Sequence, residues 1–120
     1  NEIYTVCDES LIRFVIKTIV ENSAQYSNEG GPVHITLKSQ DGRIVFSVKD
    51  SGIGIKKSNI KLLFSKFYRT DEARSMDTEG MGIGLFITRE IINRHSGKII
   101  AESEGLGKGS TFSFWIPKTV

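Results

Sequence analysis

The placement of glycine is the feature of this sequence that most constrains how the chain can fold. Twelve of the 120 residues are glycine, which is above the roughly 7% that is usual. Eight of them fall into three tight groups: Gly52 and Gly54; Gly80, Gly82 and Gly84; Gly105, Gly107 and Gly109. Glycine is favoured where the backbone turns sharply or comes close to a ligand. Three such groups in one short chain therefore indicate three loops and a functional site.

The composition is that of one ordinary globular domain spanning residues 1–120. Hydrophobic residues make up 38% of the chain and charged residues 25%, which excludes a disordered or fibrous protein. The formal net charge of +2 gives no reason to expect nucleic acid or an anionic membrane surface as the main partner. The single cysteine, Cys7, excludes an internal disulfide and a cysteine-based zinc site.

The first residues of the sequence bear on where the domain works. The chain starts at Asn1 without an initiator methionine, and its first residues do not have the pattern of a signal peptide. No apolar run is long enough to span a bilayer. We therefore expect an excised domain of a longer protein, working in a reducing cytoplasmic compartment and making no contact of its own with a membrane.

Hydrophobic spacing predicts an alternation of helices and strands along the chain. Apolar residues at helical spacing predict two long helices, and strict alternation predicts strands. The turn signal Asp41-Gly42 predicts a hairpin. The expected order is a strand at 3–7, a helix at about 8–26, strands at 33–38 and 44–50, a short helix near 58–64, a helix at about 83–95, and strands at 98–103 and 112–116.

These elements predict a two-layer α/β sandwich of the α+β type. Hairpin-length turns join most neighbouring strands, so the sheet is expected to be mixed and largely antiparallel. The alternation predicts that one sheet face is packed under the two long helices. Residues 56–81 form a long connection that becomes polar from Arg69. An irregular connection of this length is typical of a lid or binding loop.

Asp50 stands out because it ends the second hairpin strand with the parity of the apolar residues before it. Ile44, Phe46 and Val48 share that parity, so the carboxylate is expected to point to the apolar side of the sheet. An ionised carboxylate there is costly unless it accepts hydrogen bonds. One interpretation is a strand that ends in a turn, where Asp and Gly are common. The other is an acceptor for the exocyclic amino group of a purine.

Two more features admit a ligand as well as a purely structural explanation. Asn22 lies on the apolar stripe of the first helix, either as a satisfied core amide or as an oxygen ligand for Mg²⁺ shared with phosphate and water. The glycines at 80–84 precede a helix, and they form either a flexible helix start or a phosphate site at its N-terminus. The spacing of glycine and lysine excludes a P-loop, and the absence of a preceding strand excludes a Rossmann motif.

Five segments, in order, resemble the motifs of the catalytic, ATP-binding domain of sensor histidine kinases. This domain belongs to a superfamily shared with gyrase-type topoisomerases, Hsp90 and MutL ATPases. The resemblance runs from about residue 8 to 117, and the F box favours histidine kinases over the other ATPases. The matching segments are 21–27 (N box), 50–55 (first glycine box), 64–69 (F box), 80–85 (second glycine box) and 107–112 (last glycine motif).

The resemblance implies ATP and Mg²⁺ as ligands and assigns roles at the adenine end. Tyr26 would pack near the adenine, and Asp50 would accept a hydrogen bond from its amino group. Gly52 and Gly54 would keep the base pocket open, and Thr111 would support the adenine end, partly through water. The implied ATP-binding set also includes Ile55 and Leu85.

At the phosphate end the resemblance implies two catalytic residues, Asn22 and Arg69. Asn22 would coordinate Mg²⁺ between the phosphates, and Arg69 would reach them from the lid. Backbone groups at three glycines would contact the same phosphates: Gly80, Gly82 and Gly84. The polar stretch 69–79 is expected to be mobile without nucleotide.

The same resemblance implies a protein-histidine kinase that acts in two-component signal transduction. The acceptor histidine would lie on a dimerisation domain absent from this chain, and a response regulator would be the downstream partner. The parent would then be a phosphoprotein, and whether it is an inner-membrane sensor stays open.

Two residues depart from the family pattern and keep two alternatives open. Thr18 stands four residues before Asn22, where histidine kinases usually have Asn or His and the related ATPases have a Glu base. Gln25 stands where Lys or Arg is usual. A threonine hydroxyl is no base at neutral pH, which disfavours the first alternative, an ATPase of the same superfamily. The two departures together support the second, a degenerate module that binds only a nucleotide or a protein partner.

Overall fold

The computed structural model describes residues 3–27, 31–66 and 83–118, without the side chains of Gln25 and Tyr26. The described chain contains three helices and four strands. Their order is α1 (Glu9–Tyr26), β1 (Val33–Gln40), β2 (Arg43–Asp50), α2 (Lys57–Ile60), α3 (Gly84–Arg94), β3 (Lys98–Glu102) and β4 (Ser110–Pro117).

The four strands form one sheet in the order β1-β2-β4-β3. Each neighbouring pair among the described strands is antiparallel. The β1–β2 turn has positive φ at Asp41 (55°) and Gly42 (74°), which is the geometry that the Asp-Gly signal predicts for a two-residue hairpin. The order places β2 and β4 together in the centre, although about 60 residues separate them along the chain.

The core lies between one face of this sheet and the two long helices. Val15 and Ile19 of α1 and Ile92 of α3 are fully buried. They meet the inward side chains of the sheet, which include Val48 of β2 and Phe112 of β4. The burial of β4 alternates residue by residue, so its other face is the more exposed one. The predicted two-layer architecture with a largely antiparallel sheet is confirmed.

The edge strand β1 is less covered than its alternation predicts. Ile35 and Leu37 lie opposite Val48 and Phe46 of β2 and share their face of the sheet, yet they are 53% and 57% exposed. The helices explain the difference, because α1 packs against β2, while α3 packs against β3 and β4.

Several predicted boundaries differ from the structure. Residues 3–7 do not form a strand; there the Thr5 hydroxyl donates to the Pro117 carbonyl at 3.0 Å. The helix expected near 58–64 is a single turn, Lys57–Ile60, followed by turns to residue 66. Most of the lid predicted at about 56–81, including its mobile part at 69–79, lies outside the described residues. No described helix combines the length and the apolar character that crossing a membrane requires.

Candidate functional site

The candidate site is built around the carboxylate of Asp50 at the end of β2. The side chain is 3% exposed, as its parity predicts. Its Oδ1 accepts the backbone N–H of Gly52 at 2.9 Å and that of Ser110 at 3.2 Å. Its Oδ2 accepts the Ser110 hydroxyl at 2.8 Å. These three bonds compensate for the burial of the charge and hold the carboxylate in one orientation.

The carboxylate still has room for one more donor. A carboxylate offers about four acceptor positions, and the described donors to Asp50 occupy two on Oδ1 and one on Oδ2. The remaining position on Oδ2 suits a ligand N–H. A buried acceptor with a free position is suited to reading an amino group on a base.

Two glycine-rich loops hold this carboxylate from both sides with direct backbone contacts. Residues 51–55 follow β2, and residues 103–109 connect β3 to β4. The N–H of Gly107 donates to the Ile53 carbonyl at 2.8 Å, and that of Gly109 to the Gly52 carbonyl at 3.2 Å. A Cβ on Gly54, where φ is +71°, would lie 2.1 Å from the Gly105 carbonyl oxygen. Only glycine fits there, so the loops pack at a fixed distance.

Two serines belong to this site although the sequence analysis did not select them. Ser110 supplies two of the three bonds to Asp50. Its parity matches that of Phe112 and Phe114, which is the signal that could have identified it. Ser103 bonds to both loops, accepting the Ile55 N–H at 3.0 Å and donating to the Gly109 carbonyl at 2.6 Å. No sequence motif signals Ser103, because its partners are backbone groups that the fold brings together.

Thr111 lies next to the Asp50 site, and its predicted role in supporting the adenine end stays a prediction. It follows Ser110 in β4 and points to the opposite face of the sheet, where it lies across from Lys49 and Glu102 in the neighbouring strands. It does line the same polar cavity as Asp50, with a volume of about 350 Å³. Direct contact with the carboxylate falls to Ser110.

The phosphate-end candidates lie where the two long helices meet. A Cβ on Gly84, the first residue of α3, would stand 3.3 Å from the Thr18 methyl. Asn22 follows one turn after Thr18 on α1 and is half-buried; among the described residues its amide meets no partner. Leu85 is half-buried against the core. The described residues contain no cluster of three or more His, Cys, Asp or Glu side chains that could hold a metal ion.

The remaining predicted site residues lie outside the described part of the chain. These are Arg69, Gly80 and Gly82, together with the side chain of Tyr26, although its backbone ends α1. The structure therefore brings together the adenine-end group Asp50, Gly52, Gly54 and Ile55, and it places Asn22 on the helix that packs against α3.

Comparison with known proteins adds a family to this geometry. The profile of the histidine kinase-, DNA gyrase B- and HSP90-like ATPases matches residues 7–120. The chain belongs to this ATPase family. Membership supports ATP as a ligand of this domain.

Two curated relatives are sensor histidine kinases. WalK of Bacillus subtilis (strain 168) is 39% identical over 119 residues, which cover 98% of this domain and 19% of that protein. RppB of Synechocystis sp. (strain ATCC 27184 / PCC 6803 / Kazusa) is 38% identical over 117 residues, covering 98% of this domain and 26% of that protein. The ATPase-family domain thus spans about a fifth to a quarter of these relatives.

Solved structures show the same fold. The nucleotide-free catalytic domain of the histidine kinase ThkA has a TM-score of 0.81 and 32% identity, with 97% of this domain and 73% of that chain covered. The mycobacterial sensor histidine kinase MprB has a TM-score of 0.83 at 24% identity, with 95% and 74% covered.

Proposed function

We propose that this domain binds Mg²⁺-ATP and donates the γ-phosphoryl group to a histidine on a separate dimerisation domain. The observation that carries the proposal is the buried Asp50 carboxylate, fixed between two glycine loops with one acceptor position free. Family membership and the sensor-kinase relatives support the kinase assignment. A response regulator would then receive the phosphoryl group from that histidine.

At the adenine end, Asp50 accepts the exocyclic amino group of the base. Adenine offers a donor there, whereas guanine places a carbonyl oxygen at the same position. Two facing acceptors leave the buried carboxylate unpaired. A site built around a hydrogen bond from adenine therefore discriminates strongly against guanine. We expect ATP to bind at least about tenfold more tightly than GTP, which is about 1.4 kcal/mol. Gly52, Gly54 and Ile55 provide the close-packed wall beside the base, with Tyr26 and Thr111 completing that end.

At the phosphate end, Asn22 provides one neutral oxygen for Mg²⁺. Its half-buried amide has no described partner, and Mg²⁺ takes most of its ligands from phosphates and water, so one protein oxygen fits. In this proposal, backbone groups at Gly80, Gly82 and Gly84 would contact the phosphates, with Leu85 beside them, and Arg69 would neutralise their charge. Such positioning and charge neutralisation are the main contributions a protein makes to phosphoryl transfer.

Hydrolysis of ATP is disfavoured by the surroundings of Thr18. Water-activating relatives have a Glu at this place, and Thr18 has no comparable base. Its methyl group faces the first residue of α3, where a Cβ would lie 3.3 Å away. Transfer of the γ-phosphoryl group to a histidine needs no such base, because a neutral imidazole nitrogen already carries a lone pair that can attack the phosphorus.

The decisive experiment is a calorimetric titration of ATP with and without Mg²⁺, in the native domain and in Asp50→Asn. An amide must turn its oxygen to the base and loses the charge-assisted bond. We expect about a tenfold or greater loss of ATP affinity, or roughly 1.5–3 kcal/mol, with the domain still folded. Asp41→Asn is the matched control, because Asp41 is exposed in the hairpin turn and Asn accepts its positive φ.

Three results would contradict the proposal. Unchanged ATP affinity in Asp50→Asn would remove this carboxylate from the site. ATP binding with the same affinity in the presence and absence of Mg²⁺, together with no phosphoryl transfer to the phosphoacceptor domain of a sensor kinase such as WalK, would favour the degenerate-module alternative. Release of inorganic phosphate at a rate far above transfer would favour the ATPase alternative.

A further inference from the structure

We propose that Ser103 is a positioning residue: through the peptide between Gly109 and Ser110 it fixes the Asp50 carboxylate and thereby sets selectivity for adenine over guanine. This rests on the proposed function, in which Asp50 reads the base. Ser103 itself hydrogen-bonds to neither Asp50 carboxylate oxygen.

The Ser103 hydroxyl has its full set of hydrogen bonds. It donates to the Gly109 carbonyl at 2.6 Å, and the Gly105 carbonyl at 3.2 Å is a longer alternative. It accepts the N–H of Ile55 at 3.0 Å and that of Gly105 at 3.2 Å. A serine hydroxyl has one proton and two lone pairs, so this one side chain fills its capacity by joining both glycine loops.

The bond to Gly109 passes directly to the carboxylate. The carbonyl that accepts the Ser103 proton belongs to the same peptide group whose N–H, at Ser110, donates to Asp50 Oδ1 at 3.2 Å. Hydrogen bonds in such a chain polarise one another, so the Ser103 proton strengthens the donor that holds Asp50. It also fixes the plane of that peptide, and with it the direction from which the N–H reaches the carboxylate.

The packing around this peptide makes its orientation sensitive to Ser103. Gly109 has φ +72°, and a Cβ there would lie 2.2 Å from the Asp50 carbonyl oxygen. The backbone therefore passes β2 without an intervening side chain that could hold it in place. Hydrogen bonds do this instead, from Gly109 to Gly52 at 3.2 Å and from Ser103 on the other side of the turn.

The test compares Ser103→Ala with Ser103→Thr, which keeps the hydroxyl. The control is Ser113→Ala, which removes a hydroxyl bonded to Ser47 at 2.8 Å in the same sheet. We expect Ser103→Ala to weaken ATP binding by about fivefold to tenfold, while GTP affinity changes by less than about twofold. A misoriented Asp50 carboxylate loses about the free energy of one hydrogen bond to adenine, and it makes no such bond to guanine. Ser103→Thr and Ser113→Ala should keep the native ATP-to-GTP ratio.

A second readout needs no nucleotide. In the ligand-free chain, the amide proton of Ser110 should move upfield in Ser103→Ala, measured by ¹H–¹⁵N correlation, and stay near its native position in Ser103→Thr and Ser113→Ala. Equal losses for ATP and GTP, or an unmoved Ser110 amide with an unchanged ratio, would overturn the proposal in favour of a merely structural serine.

The outcomes also separate this proposal from the proposed function. If the native chain binds no ATP, or shows no preference for it over GTP, the assignment of Asp50 fails, whatever the Ser110 amide does. If the native preference holds but Ser103→Ala keeps it, only the positioning role fails. Should Ser103→Ala be unfolded, Ser103→Cys takes its place, because a thiol is a weak donor; an unchanged ratio there would overturn the proposal equally.

Discussion

Hydroxyl groups in this domain have two contrasting environments. Those of Ser103 and Ser110 are bonded within the site. Those of Ser23 on α1 and Thr88 on α3 are fully buried and meet no hydrogen-bond partner in the described part of the chain. A buried hydroxyl without a partner loses its hydration and gains nothing in return. The two unpartnered groups therefore reduce the stability of the helical layer.

Ser23→Ala should stabilise the domain. Removing the unpartnered hydroxyl recovers its desolvation cost, about 1 kcal/mol or more, in addition to the better helix propensity of alanine. Urea denaturation measures the gain. Ser10→Ala, at an exposed position in the first turn of the same helix, is the same substitution where no hydroxyl is buried. A gain in Ser23→Ala no larger than in Ser10→Ala would show that the Ser23 hydroxyl is satisfied in solution.

At this scale, the site was predictable where a residue's parity or motif carries the information. The parity of Asp50 predicted its burial, and the same argument applied to β4 points to Ser110. The role predicted for Thr111 rests on a resemblance between motifs and stays a prediction, because a motif does not distinguish two adjacent residues on opposite faces of a strand. Ser103 could not be predicted, since its bond with the Ile55 N–H joins two loops that only the folded sheet brings together.

At the scale of elements, the start of α1 and the end of α3 are joined through one histidine. The backbone N–H of Asp8 donates to Nε2 of His95 at 3.1 Å. That leaves the proton on Nδ1, which donates to the Ile91 carbonyl at 2.9 Å. The Asp8 side chain separately caps α1 by accepting the Leu11 N–H at 3.0 Å. Asp8 therefore caps α1 with its side chain and links α1 to α3 with its backbone.

Asp8→Ala should destabilise the domain by about 1 kcal/mol, within the roughly 0.5–2 kcal/mol seen for lost N-caps. The backbone bond to His95 does not depend on the side chain, so the loss measures the cap. Asp8→Asn should be nearly neutral because asparagine caps as well as aspartate. Chemical denaturation gives both values, and an equal loss in the two variants would point to the charge rather than the cap.

Alternation predicted the four strands, and helical spacing predicted the two long helices, because both patterns follow directly from which face is buried. The predictions were wrong where tertiary contacts determine whether a segment forms a strand or is covered by a helix. Residues 3–7 have strand-like composition, but they do not form a strand in the folded domain. The apolar face of β1 matches that of β2, yet the described helices pack mainly on β2, β3 and β4. The local sequence of β1 does not indicate which strands the helices cover.

For the whole molecule, the positions of the two histidines bear on where the phosphoryl group can go. Both ring nitrogens of His95 are engaged in hydrogen bonds. His34 is exposed on β1 and lies across from Lys49, on the sheet face away from the helices. In the proposed function neither histidine is the acceptor, which lies on a separate domain.

The domain incubated alone with Mg²⁺-ATP should therefore form no phosphohistidine, and adding a phosphoacceptor domain should produce acid-labile phosphate on that partner. Radiolabelled ATP with acid and alkali stability tests of the product checks both. His34→Gln serves as the control and should leave transfer to the partner unchanged. Robust labelling of His34 or His95 in the domain alone would contradict the assignment.

The central pairing of β2 with β4 also affects the order in which parts of the domain fold. Asp50 and Ser110 are 60 residues apart, whereas β1 and β2 are joined by a two-residue turn. Closing the longer loop costs more entropy, and pairings distant in sequence slow folding. The β1–β2 hairpin should form early, and the bonds that Asp50 accepts from Gly52 and Ser110 should form last. In stopped-flow refolding, the ability to bind a fluorescent ATP analogue should lag behind β-structure in circular dichroism, and ATP should slow unfolding without accelerating refolding.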